Sequence, residues 1–355
     1  MTKPRIVFLS RKWPPAVGGM ETYAIRLTEA LRPRVDLTTI VLPGRDDGQP
    51  PGAIALFGFG TRSFFRIFFR HRDADVIHVA DMASWPIALA ASRKAAIVLS
   101  AHGTDVSYPR RGTFKGRAYG SYLRLGAKLL PSAIVVTNSS ATDKATREYG
   151  FTQTAIVPLA TNMQRQPSRT ANARLLFSGR LTPRKGLSWF VAHVLDRLPE
   201  DITLDVAGTV WDKAEERALA HQRVNYIGHL DHDRIAAAYA DALAVVVPNV
   251  PVPTREFEGF GLVAVEAAAA GGVVLASDEG GLSEAVRDGE TGYSLPAGDA
   301  DAWAEAIARV RNWTDSERKR FTDSASETAR RVYAWDRVAD QTMAAYQTAT
   351  EARRP

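Results

Sequence analysis

Short apolar, β-branched runs alternate with helix-period stretches along almost the whole chain, which predicts wound α/β units built on parallel sheets. Strands are expected at RIVFLS (5–10), VDLTTIVL (35–42), DVIHVA (75–80), AIVLSAHG (96–103), AIVVTN (133–138) and AIVPL (155–159), with helices between them. The stretch NMQRQPSRTANA, from Asn162, is polar, carries Pro167 and lacks a period, so it reads as a linker. The alternation then restarts at RLLFSG (174–179), ITLDVAG (202–208), VNYIG (224–228), LAVVVPN (243–249), VVLASD (273–278) and GYSLP (292–296). Two doubly wound, Rossmann-like domains are expected, 1–165 and 172–334, facing each other across a cleft where strand ends and helix N-termini meet a ligand. The last helices, after Arg311, are expected to cross back, and one of about 335–355 would complete the first domain.

One helix-period stretch is unusual. In TRSFFRIFFRHR (61–72), Phe64, Phe65, Ile67, Phe68 and Phe69 fall on one broad face of a helical wheel, with Arg62, Arg66 and Arg70 opposite. Such a face ordinarily packs on the domain's sheet. The competing reading offers the arginines to an anionic membrane surface.

At 355 residues and 45% hydrophobic, the chain can bury two cores. It has no cysteine, which excludes disulfides, thiolate metal sites and a thiol nucleophile, and fits a reducing cytoplasm. The first apolar run, Ile6 to Leu9, is too short for a secretory core, and nowhere do eighteen apolar residues run together. The charge is uneven: residues 1–168 hold 23 Lys and Arg against 11 Asp and Glu, and the remainder holds 22 against 28. A basic half suits an anionic partner such as a phosphorylated acceptor or a membrane face. Nucleic acid is not expected, because the basic half shows no recognition motif.

The candidate chemistry sits after strands. Gly18 and Gly19 precede a helix from about Met20, where close backbone approach and free N–H groups suit a phosphate or, equally, a plain turn. In SGRLTPRKG (178–186), Arg180 and Lys185 occupy the turn before a helix, and together suit a diphosphate. His102 lies beyond the fourth strand, where such sheets place ligand contacts. In EFEGFGLVAVEA (256–267), Glu258 falls in a loop and Glu266 about five residues into the next helix, roughly 7.5 Å along its axis. That separation suits two groups on one extended ligand. Glu258, with the N–H groups of Phe260, Gly261 and Leu262, can take sugar hydroxyls, while Glu266, flanked by apolar residues, can accept both hydroxyls of a ribose.

Gly18-Gly19, HGTD (102–105), GRLTPRKG, EGFGLVAVEA and ASDEGGLSEAVRDGETGYSL, taken in this order, resemble the retaining glycosyltransferases of family 4, with their two-domain GT-B fold. YAW (333–335) is similar to the element where that family's C-terminal helix turns back. The resemblance implies a nucleotide-sugar donor, a glycan, lipid-linked or small-molecule hydroxyl acceptor, and no metal or other cofactor. It implies that Arg180 and Lys185 bind the diphosphate, Glu258 the sugar and Glu266 the ribose. Gly19 would lend an N–H to phosphate or acceptor, and His102 would contact the sugar near its reacting carbon. Two departures stand out: PLATN (158–162) replaces the Pro-Asn-Gly-Val-Asp common in that family, and Pro248-Asn249 replaces Pro-Ser. DAD (73–75, 299–301) and DHD (231–233) imitate a metal-binding D-x-D, but the first precedes its strand and the others sit at expected helix starts, where Asp is a common cap. A glycosidase would need two acids about one bond and has no use for Arg180 and Lys185. A sugar-nucleotide epimerase of the same fold and a non-catalytic sugar-nucleotide sensor are the remaining alternatives.

Overall fold

The computed structural model describes residues 3–16, 18–45, 51–167 and 173–353. It divides into two compact units, one of Met1–Leu159 with Trp335–Pro355 and one of Ala160–Ala334. The expected linker from Asn162 has no regular element as far as 167, and its residues 168–172 lie outside the described residues.

The first unit holds β1 (Arg5–Trp13), β2 (Asp36–Pro43), β3 (Val76–Val79), β4 (Ala96–Ala101), β5 (Ile134–Thr137) and β6 (Thr154–Ile156), in the order β2-β1-β3-β4-β5-β6. The second holds β7 (Arg174–Ser178), β8 (Thr203–Ala207), β9 (Val224–Gly228), β10 (Ala244–Val247), β11 (Val274–Ser277) and β12 (Tyr293–Leu295), ordered β12-β11-β10-β7-β8-β9. Every strand pairing is parallel. The central strands β3, β4, β5, β10 and β11 are buried along their whole length, as helices on both faces require, and this is why they read as largely Val, Ile, Leu and Ala, with His78, Ser100, Thr137 and Ser277 the polar exceptions. Strand order reverses between β1 and β3 and again between β7 and β10. In such sheets the strand ends at that reversal form the natural ligand crevice.

Of the helices after Arg311, only one returns to the first unit. Helix Asp315–Val332 stays in the second, held by buried Arg318, which donates to the carbonyls of Leu243 (2.9 Å) and Ala242 (2.5 Å), and by Ser326, which donates to Ala269 (2.6 Å). Helix Trp335–Glu351 docks on the first unit: Tyr346 reaches Nδ1 of buried His78 at 2.6 Å, and Arg337 donates to Pro158 and Leu159.

The aromatic helix departs from the expectation that its rings pack on the sheet. It spans Ala53–Arg70 and buries only Phe59, Ser63 and Ile67. Phe65, Phe68 and Phe69 stand 52%, 44% and 67% exposed, packed on one another instead. Residues spaced by four turn one narrow stripe inward, and the broad aromatic face meets the sheet at its edge alone. Asp299 and Asp231 do cap helices, accepting from Ala302 N at 3.1 Å and from Arg234 N at 2.9 Å, while Asp73 pairs with Arg5 ahead of β3.

Candidate functional site

In the second unit the reversal between β7 and β10 brings two sequence-distant segments together. The chain leaves β7 through Gly179 and Arg180, makes a short 3-10 turn at Pro183–Lys185 and enters helix Leu187–His193. Gly186 sits at φ 72°, and a Cβ there would lie 1.9 Å from the Pro248 carbonyl oxygen, so only glycine lets this turn rest on the segment following β10. From that segment comes Glu258. Its Oε2 accepts from Lys185 Nζ (2.5 Å), Arg184 Nη1 (2.5 Å) and Asn249 Nδ2 (3.2 Å). Burial alone would raise this carboxyl, but Lys185 and Arg184 hold it far below the carboxylate range. Burial in turn lowers the Lys185 ammonium, opposed by Glu258 and reinforced by Arg184 and Arg180. Arg180 therefore stands near the pair, although its exposed guanidinium lies over the Trp211 ring, 4.9 Å from the centroid.

The Glu258 loop is pinned from the far side. Gly281 N donates to Glu258 O at 2.8 Å, and a Cβ on Gly281 would fall 2.3 Å from Gly259 O. Phe260 is buried and turned edge-on to Tyr333, which fixes the backbone while its side chain takes no part in the site. Gly261 then caps helix Leu262–Ala270. The N–H groups of Phe260, Gly261 and Leu262 meet no acceptor among the described residues, leaving three donors beside Glu258 at a helix start. Glu266, the fifth residue of the helix, is partly buried and has no hydrogen-bond or ion-pair partner among the described residues. Its apolar surroundings push its carboxyl up to about 7. The arrangement is a neutralised carboxylate with free donors beside it, a cationic turn, and a second acid along the helix.

In the first unit, Gly18 caps helix Gly19–Leu31, and Tyr23 of that helix lies edge-on to His102 at 4.7 Å. The helix start is already faced by a carboxylate of the chain. A Cβ on Gly18 would lie 2.6 Å from Glu21 Oε2, and Lys12 Nζ stands 3.6 Å from Oε1 of the same residue. That arrangement favours hydroxyls over a phosphate at Gly19. His102 Nε2 lies 3.1 Å from the Ala80 carbonyl, so it carries the proton and leaves Nδ1 as an acceptor. Burial lowers the His102 imidazole, against the raising effect of the Ala80 carbonyl, Asp81 and Glu21.

Several side chains at these sites were given no role from sequence. Arg184 and Asn249 grip Glu258, Trp211 backs Arg180, and Arg11 donates to buried Asp81 at 2.9 Å. Asp105, raised by burial and then by the charge of Asp81, accepts from His102 N at 3.3 Å. Arg11 and Asp81 could have been found by position, since they lie at the ends of β1 and β3 beside the strand reversal. Among the described residues, no group of three or more His, Asp or Glu side chains is placed to hold a metal ion.

Residues 17–165 match the family model described as Glycosyltransferase Family 4, and residues 172–312 match the one described as Glycosyl transferases group 1. The chain is similar to the phosphatidyl-myo-inositol mannosyltransferase of Mycobacterium leprae (strain TN), at 29% identity over 93% of this chain and 93% of that protein. It is 30% identical to the glycogen synthase of Mycobacterium tuberculosis (strain CDC 1551 / Oshkosh), over 79% of this chain and 70% of that one. Its fold matches the sucrose-phosphate synthase from Thermosynechococcus elongatus with a TM-score of 0.73 at 22% identity, covering 97% of this chain and 98% of that one.

Proposed function

Because the chain belongs to glycosyltransferase family 4 and has the GT-B fold, we propose that it moves a sugar from a UDP- or GDP-sugar to a hydroxyl acceptor with retention of configuration and without a metal. One observation carries the donor assignment: three N–H groups, at Phe260, Gly261 and Leu262, that meet no acceptor among the described residues lie between an ion-paired Glu258 and a half-buried Glu266 with no partner among those residues. In this reading the second unit binds the donor and the first the acceptor.

Lys185 and Arg180 take the diphosphate, and their charge offsets what develops as it leaves, the role a divalent ion fills in other transferases. Lys185 then exchanges Glu258 for phosphate oxygens, while Arg184 and Asn249 keep Glu258 ionised and oriented toward the sugar hydroxyls. Glu266 accepts the ribose hydroxyls. In the first unit, His102 is read as a sugar contact, as the family resemblance implies, and Gly19 offers its N–H to an acceptor hydroxyl. None of these groups supplies a carboxylate nucleophile to the far face of the sugar. Retention is accordingly read as same-face substitution, in which the departing phosphate takes the acceptor's proton. The similarity to enzymes named for phosphatidyl-myo-inositol and glycogen supports a glycolipid or polysaccharide acceptor.

Donor turnover tests the assignment. Lys185→Ala should lower transfer or donor hydrolysis at least tenfold, since each charge-assisted contact is worth about 1.5–3 kcal/mol, while the protein still melts cooperatively. Undiminished turnover would remove Lys185 from the diphosphate site.

A further inference from the structure

The exposed rings of helix Ala53–Arg70 belong to a wider surface. The 3-10 segment Met82–Ala90 packs against this helix and also against helix Phe114–Leu129. Tyr122 donates to Ala83 O at 2.6 Å, and Gly126 approaches the Trp85 indole so closely that a Cβ there would lie 3.0 Å from it. Right-handed crossovers put these elements on one face of the first sheet. Along the first helix the stripe opposite the buried one carries Ile54, 90% exposed, Phe57, 79%, and then Phe65, Phe68 and Phe69. The second helix adds Phe114, 79% exposed, with Leu125 and Leu129 about half exposed. The charge is one-sided. Residues 51–72, 82–94 and 108–129 hold four, two and six Lys or Arg respectively, and no Asp or Glu. Arg62, Arg66 and Arg70 are exposed along the first helix, and Lys115, Arg117 and Lys128 along the second.

We propose that this face, helices Ala53–Arg70 and Phe114–Leu129 with the segment between them, seats the enzyme on an anionic lipid bilayer, with the phenylalanines in the headgroup boundary and the cations on lipid phosphates. The combination decides the occupant. Nucleic acid would satisfy the cations and leave the exposed rings in water. A second copy placed face to face would set cation against cation with no acid on either helix to relieve them, since Glu148, which lies on neither, pairs with Arg110. A bilayer interface accommodates both, taking aromatic rings at headgroup depth and attracting basic residues from a neighbouring surface. Among the described residues no helix is long and apolar enough to cross a membrane, so attachment through this face is peripheral.

Co-sedimentation of the full chain with vesicles tests this independently of transfer. Wild type should pellet with phosphatidylglycerol-containing vesicles, not with pure phosphatidylcholine, and salt should weaken the binding as the Debye length shortens. Arg62→Glu/Arg66→Glu/Arg70→Glu should lower partitioning about a hundredfold at low salt. Arg117→Glu/Lys128→Glu, on the other helix, should lower it as well, so misfolding of one variant leaves the other decisive. Phe65→Ser/Phe68→Ser/Phe69→Ser should leave only weak, salt-sensitive attachment. Equal pelleting with both vesicle types, or wild-type binding by the charge variants, overturns the proposal. So does a concentration-dependent dimer that the serine variant dissolves, or duplex DNA binding that the arginine changes abolish and the serine changes leave intact.

Discussion

Glu266 is a carboxyl held among valine and alanine with no hydrogen-bond or ion-pair partner among the described residues, and its apolar setting was legible in the sequence, because its flanks are almost wholly apolar. Its acid form is favoured by folding. The unfolded value is 4.5 and the folded one about 7, so its stabilising contribution is complete below pH 4.5 and is lost as pH rises through about 7. A ribose needs the ionised form. Nucleoside diphosphate affinity should therefore climb up to about tenfold per unit of pH on the acid side of 7 and level off above it, while Glu266→Gln should bind weakly and show no such slope. Isothermal titration across that range decides it, and a flat wild-type profile would contradict the ribose assignment. Glu258 was equally legible as a loop acid, but its partners were not. Arg184 sits beside Lys185 in the sequence, and only the meeting of the β7 and β10 ends shows that both reach the same oxygen. Pairing across the site is a tertiary fact with no local pattern to announce it.

Among the elements, the strands were the most readable. Nine fall wholly within the stretches expected from apolar, β-branched runs and β1, β2 and β6 overlap theirs, because strands covered on both faces admit few polar residues. Their ends were harder to place: β1 continues to Trp13, paired with Pro43 past an irregularity that no periodicity signals. Helix Ala53–Arg70 shows a second limit. A wheel finds its apolar side, yet the edge of that side that meets the sheet depends on what the sheet presents. The loop before helix Leu262–Ala270 is held by backbone contact with Gly281, where a methyl group would overlap the Gly259 carbonyl. Gly281→Ala should displace the Glu258 loop and cut donor turnover at least tenfold while lowering stability by about 1–3 kcal/mol. Full activity in that variant would show that the loop need not be where this contact puts it.

At the scale of the molecule, the tandem of doubly wound units and the return of the last helix to the first were both expected from sequence, the return on the strength of the family-like YAW element. The chain leaves the second unit at Ala334, and from Trp335 onward it belongs to the first. Donor base, sugar and acceptor stay illegible at every scale, since loops that meet them carry no general code. The central claim, two acids gripping two parts of one donor, remains testable without knowing the acceptor. Titration calorimetry should compare a nucleoside diphosphate with its sugar-bearing form on wild type, Glu258→Gln and Glu266→Gln. Glu266→Gln should weaken both ligands alike. Glu258→Gln, by freeing Lys185, should leave the bare nucleotide as tight as before or tighter and abolish the extra affinity the sugar provides. If both substitutions weaken the bare nucleotide to the same extent, the two-grip account is wrong.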